Sequence, residues 1–294
     1  MATLTLSRQY AKLCDRRDFD DPNLRARIRE IVPGLESEAE LHRKYWEFAM
    51  LTLFLEDVGK LDDASRALAL GAGHETVLFW LANQMGRVVA TDIYGEGSFA
   101  GREADVTMLD DPKSFSPYPY REDHLDVRHM DARKLDFADE SFDVVFSLSS
   151  IEHFGRPDGV VEASREIGRV LRPGGVAFIV TECYLRRHPL DAPPVQTMIR
   201  KATGGRLFAT ANLSRRTDEI FTRAEIREQI VEPSGLDLVQ PVSYELSEET
   251  FENLIHWRRG GILEPRTGQD YPHIVLKAHG SPWTSIALPL SKST

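Results

Sequence analysis

The sequence predicts an α/β protein with a mostly parallel central sheet and helices on both faces. Three observations carry that prediction. Strand-like runs recur at 67–70, 88–90, 125–131, 142–147 and 176–181, most of them apolar enough for burial on both sides. Helical stretches separate them, beginning with the apolar TVLFWLANQM that follows Glu75. The first run breaks into Gly71, Ala72 and Gly73, and the second ends in Asp92, 21 residues beyond Gly71. Strand, glycine turn, helix and acid-tipped strand together form a nucleotide-binding pattern.

In chain order, residues 1–60 read as a helical cap. Asp21 before Pro22 has the form of an N-cap with proline in the first helical position, and Pro33 with Gly34 stops that helix. Ser37 then precedes a segment in which Leu41, Tyr45, Phe48, Leu51 and Leu55 recur at helical spacing, the mark of an amphipathic helix ending near Gly59. Tyr45 and Trp46 are either core residues or substrate contacts.

Each part of the glycine turn has a physical task. Glycines let backbone approach a ligand, and the helix N-terminus offers unpaired N–H groups. A carboxylate about 20 residues further on accepts the hydroxyls of a ribose. Residues 93–124 form a long connection with little periodicity, expected to line a substrate entrance. The third run ends in Asp131 and Ala132. The fourth ends at Ser147 and leads through Ser149 and Ser150 to Ile151, Glu152 and His153. Ligands gather at such carboxyl ends in open α/β sheets. Arg172, Pro173, Gly174 and Gly175 suit a type II turn before the fifth strand. Residues 182–216 are irregular and expected to help form an acceptor pocket. Phe221 and Thr222 open a capped helix that stops at Gly235 and leads to a strand, and HIVLKAH and TSIALPLS form a terminal hairpin across Gly280.

A dinucleotide fingerprint requires a third glycine where Thr76 stands, which disfavours a nicotinamide dehydrogenase. The glycine turn, Asp92, Asp131 with Ala132, the run into SLSSIEHF and the LRPGG turn instead resemble, in order and spacing over residues 60–182, the class I S-adenosylmethionine (AdoMet) methyltransferases. The resemblance implies a Rossmann-like, seven-stranded, mostly parallel sheet completed by a C-terminal antiparallel edge. It divides the chain into a cap (1–60), a cofactor-binding core (61–182), substrate-facing loops and helix (183–235) and C-terminal strands (236–294). It also implies AdoMet as cofactor, leaving as S-adenosylhomocysteine. Cofactor contacts then fall on Gly71, Ala72, Gly73, Asp92 for the ribose, Ile93 or Tyr94 against adenine, Asp131 for the adenine amino group, Ala132 and Ser147. One departure is Ala69, where the family carries an acid; Glu75 is the replacement that would pair with the cofactor's ammonium.

Methyl transfer is an in-line displacement, so positioning dominates. A hydroxyl acceptor must also lose its proton, and an imidazole suits that task. His153 is the candidate base, oriented by Glu152 or another carboxylate. Two other roles stand beside it. Small-RNA 2′-O-methyltransferases and ubiquinone-pathway O-methyltransferases carry a similar Glu-x-x-Glu-His segment that binds a divalent cation. Glu152 and His153 match its last two residues, Ser149 replaces its first glutamate, and Mg2+ with Glu182 or His188 as further donors is the corresponding expectation. Alternatively, the pair only starts a helix.

Composition sets the outer bounds. With 41% hydrophobic and 28% charged residues, the chain is ordinary for a globular protein. A net charge of −10 from 36 Lys+Arg against 46 Asp+Glu disfavours nucleic acid as partner. Cys14 and Cys183 form no disulfide framework or metal motif. No apolar run has membrane length and no signal peptide is visible, so a cytoplasmic protein is expected. The leading expectation is O-methylation of a small hydroxylated metabolite, such as a sugar or glycan precursor. N- or C-methylation and a non-catalytic AdoMet-binding regulator are the alternatives, the last suggested by Ala69. The oligomeric state is not fixed by the sequence.

Overall fold

The computed structural model describes residues 6–35, 40–187, 189, 193–204, 219–252, 254–257, 263–264, 273–278 and 281–294; Ser37, His188 and Gly280 fall outside these ranges. A two-residue strand β1 (Lys12–Leu13) precedes helices α1 (Pro22–Ile31) and α2 (Arg43–Asp57). The alternating part then runs β2 (Arg66–Leu70), α3 (Thr76–Gln84), β3 (Arg87–Asp92), a short α4 (Thr107–Asp110), β4 (Leu125–His129), β5 (Phe142–Leu148), α5 (Asp158–Val170) and β6 (Leu171–Tyr184). Strands β7 (Asp237–Leu238), β8 (Leu254–Trp257), β9 (Leu263–Glu264), β10 (Val275–Ala278) and β11 (Ser281–Ser291) follow.

The strand order is β4-β3-β2-β5-β6-β11-β10-β8-β9, with β1 and β7 also pairing with β11. Strands β4, β3, β2, β5 and β6 are mutually parallel. Chain order reverses between β2 and β5, which opens a crevice at their carboxyl ends.

Two expectations are corrected here. The sheet exceeds seven strands, because β8, β9 and the short β1 and β7 extend it. The antiparallel strand is also not an edge: β11 lies inside, antiparallel to both β6 and β10. Its residues from Trp283 to Leu290 are buried, so it behaves as a central strand despite its prolines. The LRPGG turn also bulges out within β6. Phe142 pairs with Leu171 and Val144 with Val176, and Gly174 adopts φ +74°, the left-handed conformation that the third residue of a type II turn requires.

Two apolar layers sandwich the sheet. Trp46, Phe54, Phe79 and Phe178 fill the one under α1, α2 and α3. Phe142, Ile167, Leu171 and Phe221 fill the one under α5. Asp21 caps α1 by accepting from Asn23 N (2.8 Å), with Pro22 in the first turn. Helix α2 starts later than the periodicity suggested, at Arg43, with His42 Nδ1 accepting from Lys44 N (3.0 Å). Nor is it amphipathic. Every residue from Trp46 to Leu55 is buried, including Glu47 and Thr52. Trp46 belongs to the core and donates from Nε1 to Asp18 Oδ2 (2.8 Å). Downstream, Thr222 and Glu225 form a reciprocal capping box, and Gly235 ends that helical region at φ +65°.

Candidate functional site

The site builds up from the end of β2. Gly71 and Gly73 both have positive φ, +61° and +50°. A Cβ on Gly71 would lie 2.6 Å from Ser150 Cβ, and one on Gly73 would lie 2.6 Å from the backbone oxygen of Glu103. The turn is therefore clamped between the tip of β5 and the long connection after β3. Ser150 Oγ donates to Gly71 O (2.7 Å), and the buried Tyr94 donates its hydroxyl to Gly73 O (2.8 Å). Tyr94 thus supports the turn from below, while Ile93 is left 37% exposed beside Asp92.

Asp92 sits at the tip of β3 with both carboxylate oxygens oriented by backbone. Gly73 N donates to Oδ2 (2.9 Å) and Ile93 N to Oδ1 (2.7 Å). Burial raises its pKa, opposed by those two N–H bonds and by the nearby His129 and His153 rings. Each oxygen keeps a lone pair for a further donor. Asp92 pairs in register with His129 of β4, so Asp131 emerges two residues beyond on the same edge of the sheet. Arg133 embraces the Asp131 carboxylate from Nε (2.9 and 3.0 Å) and Nη2 (2.6 Å) and holds its pKa below the usual carboxylate range. Ala132 is buried. Ser147 is only 1% exposed, and by strand alternation it shares the face of Val145, which packs in the layer under α5. Its side chain is thus not brought into the crevice with the others.

Glu75 is at the N-cap of α3, as its place after the turn implied, but it already has a partner. Lys44 of α2 forms an ion pair with it. The same ammonium lies 3.3 Å from Glu47 Oε2 and donates to Leu148 O (2.6 Å). Burial pushes the Glu75 carboxyl up to about 7, with Lys44 pulling it down.

At the tip of β5 the chain turns sharply, with Ser149 at φ +50°. A positive φ is strained for a residue other than glycine and marks functional turns. Ser149 Oγ donates to Glu47 Oε1 (2.8 Å), which also accepts from Ser285 Oγ (2.6 Å). Arg43 completes this group through Ser285 Oγ (2.9 Å) and Glu182 Oε1 (2.8 Å). Burial drives the Glu182 carboxyl up to about 7, with Arg43 opposing and Glu152 adding to the rise.

His153 does not take Glu152 as its orienting carboxylate. Its Nδ1 lies 3.4 Å from Glu219 Oε1, and its ring packs on Phe99 with centroids 4.7 Å apart. Burial alone would lower the imidazole pKa. The bond to Glu219 and the charges of Glu152, Glu219 and Glu182 outweigh that, and the net shift is upward. Glu152 instead turns to β6, where Thr181 Oγ1 donates to its Oε2 (2.9 Å), and burial raises its pKa.

This division does not assemble the expected metal site among the described residues. Glu152 and His153 face different partners, and Ser149 is committed to Glu47. Among the described residues no three His, Cys, Asp or Glu side chains are grouped to hold an ion. The donor set does not fit Mg2+; His188 lies outside the described residues. The glycine cradle, oriented carboxylate and exposed apolar side chain do fit a nucleoside. Glu219, Arg43, Lys44 and Glu47 escaped the sequence reading. Arg156 holds the 219–222 segment by donating to Ile220 O (3.1 Å) and lying over the Phe221 ring at 3.8 Å.

Comparison with known proteins agrees with this geometry. Residues 68–179 match the family described as Methyltransferase domain (Methyltransf_11). A phosphatidylethanolamine N-methyltransferase of Cereibacter sphaeroides is 40% identical over 67 residues, 23% of this chain and 32% of that protein. The methyltransferase GfsG of Streptomyces halstedii is 30% identical over 188 residues, 63% of this chain and 56% of that protein. The chain thus spans from about a third to just over half the length of these relatives. A geranyl diphosphate C-methyltransferase from Streptomyces coelicolor A3(2), solved with Mg2+, geranyl diphosphate and S-adenosyl-L-homocysteine, superposes with TM-score 0.50 over 99% of this chain and 91% of that one at 13% identity, a likeness of fold alone. Over residues 68–179 the chain is therefore similar to a methyltransferase domain.

Proposed function

We propose that this protein transfers a methyl group from AdoMet to a hydroxyl of a small acceptor, with His153 as general base. The observation that supports this reading most is the His153–Glu219 pair at the tip of β5, next to the switch point and close enough for His153 to influence Asp92. AdoMet, when bound, supplies a methyl already activated on a sulfonium. The chain's own residues do the rest. Gly71 and Gly73 allow close approach, Asp92 accepts from the ribose hydroxyls, Asp131 takes the adenine amino group, and Ile93 covers the base. Glu219 orients the imidazole through Nδ1, which leaves Nε2 to receive the acceptor's proton as attack proceeds. Phe99, from the long connection, packs against the ring.

The negative total charge favours a small acceptor over nucleic acid. Sugars and glycan precursors are the first acceptors to assay. Release of S-adenosylhomocysteine across a panel of hydroxyl and amine acceptors tests the reading. O-methyl product supports it, N- or C-methyl product replaces it, and tight cofactor binding without turnover on any acceptor returns the protein to a regulatory role.

Among the described residues no helix is long and apolar enough to cross a membrane.

A further inference from the structure

His153 and Glu219 belong to segments far apart in the chain, so their pairing requires that both segments be fixed. His153 is held on its own side. Its backbone N–H donates to Ser150 O (2.9 Å), Phe154 N donates to Ile151 O (3.2 Å), and Gly155 at φ +92° leads the chain toward α5. Glu219 is held less directly. Two residues beyond it, Phe221 N donates to Glu182 O and Tyr184 N to Phe221 O (2.9 Å each), which pins Phe221 to the end of β6.

Arg156 reaches closer. It leaves the turn three residues after His153 and crosses to the Glu219 segment. Its Nη1 donates to the carbonyl of Ile220 (3.1 Å), the residue that follows Glu219, and its guanidinium lies 3.8 Å from the centre of the Phe221 ring. Nε donates to Gln229 Oε1 (3.2 Å), and Nη2 pairs with Glu225 Oε1 (3.1 Å). Glu225 Oε2 in turn accepts from Thr222 N (2.7 Å). With 11% of the Arg156 side chain exposed, these contacts are little diluted by water. The planar fork of a guanidinium reaches acceptors on several sides while stacking on a ring, which an ammonium does not.

We propose that Arg156 is a positioning residue for the transfer, tying the turn that carries His153 to the segment that carries Glu219 and so setting where the carboxylate meets Nδ1. This deepens the function proposed above and rests on its His153–Glu219 pair. Charge and geometry have opposite signs here. Besides Glu219, the imidazole is faced by Glu152 of its own turn, by Glu182 of β6 and by Asp92 of β3. As a neighbouring cation alone, Arg156 would make the imidazolium harder to form, and its loss would move the His153 titration to higher pH. As the clamp it brings in a carboxylate, and its loss moves that titration to lower pH.

The test follows the His153 imidazole of the full chain by NMR through a pH titration, its signals assigned as those missing from His153→Gln. Glu219→Gln sets the reference by moving the titration to lower pH. Arg156→Met is expected to move it in the same direction, and the double variant no further than Glu219→Gln alone, because both substitutions remove one interaction. Arg156→Lys, which keeps the charge without the fork, is the second variant and is expected to give a smaller shift of the same sign. Near-ultraviolet circular dichroism checks the folding of each. A titration that stays in place or moves to higher pH in either folded Arg156 variant overturns the proposal. So does additive lowering in the double variant, or loss of fold in both single Arg156 variants, which would make Arg156 a support of the domain and not of the pair. A titration unmoved by Glu219→Gln would instead defeat the pair itself, and with it the function proposed above.

Discussion

At the ends of β2, β3 and β4 the candidate nucleoside crevice draws its side chains from one continuous stretch, Gly71 to Asp131. At the ends of β5 and β6 the cluster around His153 draws on Arg43, Glu47, Ser149, Glu152, Glu182, Glu219 and Ser285. The first region positions polar groups with backbone: two amides on Asp92 and strain-relieving glycines at the turn. The second positions them with other charged side chains, among which Glu47 and Glu152 are buried. Backbone scaffolding tolerates the loss of one side chain, whereas a network of buried charges does not, because removing one member leaves another uncompensated. The two regions should therefore respond differently to substitution.

The largest contrast concerns turnover. His153→Gln should lower kcat about 10²- to 10⁴-fold with little change in S-adenosylhomocysteine affinity; a rate within a few-fold of wild type removes it as base. On the proposed role of His153 the neutral imidazole is the active form; with its pKa raised, kcat/KM should fall as pH drops through a value above that of a free imidazole. Glu219→Gln removes a cause of the rise, so the inflection should move to lower pH; an unmoved profile breaks the pair.

Stability comes next. Glu47→Ala leaves Arg43 and Lys44 short of a buried counter-charge and should cost about 3–5 kcal/mol in urea denaturation. A loss below about 1 kcal/mol would show that the cluster relaxes into water. On the backbone-scaffolded side, Asp92→Ala should weaken S-adenosylhomocysteine binding by about 1.5–3 kcal/mol in calorimetry, through loss of a charge-assisted acceptor. Asp131→Asn should cost less, because Arg133 already occupies much of that carboxylate; the reverse order of the two losses would contradict the assigned roles. The smallest effect is none: a chelator should leave kcat unchanged, and restoration of a lost rate by Mg2+ would reinstate the metal.

The same contrast governs what could be read from the chain. The glycine turn, Asp92 and Asp131 were legible because strand, turn and helix signals lie next to them and fix their edge of the sheet. Glu75 was legible in place but not in partner, since Lys44 belongs to a helix far upstream. Arg43, Lys44 and Glu47 fall between the apolar positions of the expected amphipathic helix; periodicity does not distinguish a solvated charge from one whose partners arrive from Ser149, Glu182 and Ser285. Glu219 carries no local signal, and its position depends on Phe221 pairing with the end of β6. The interior placement of β11 did have a signal, the nearly continuous apolar run at 286–290, but the resemblance implied an edge, where Pro282 and Pro289 would be tolerated. Burial of the run on both sides prevailed.

The account stands or falls on where the nucleoside lies. A crystal structure of the full chain with S-adenosylhomocysteine measures this directly. The account predicts both ribose hydroxyls within hydrogen-bond distance of the Asp92 carboxylate, the adenine amino group on Asp131, and the sulfur directed toward His153. A nucleoside bound away from Asp92, or with its sulfur on the far side of the glycine turn from His153, would contradict it.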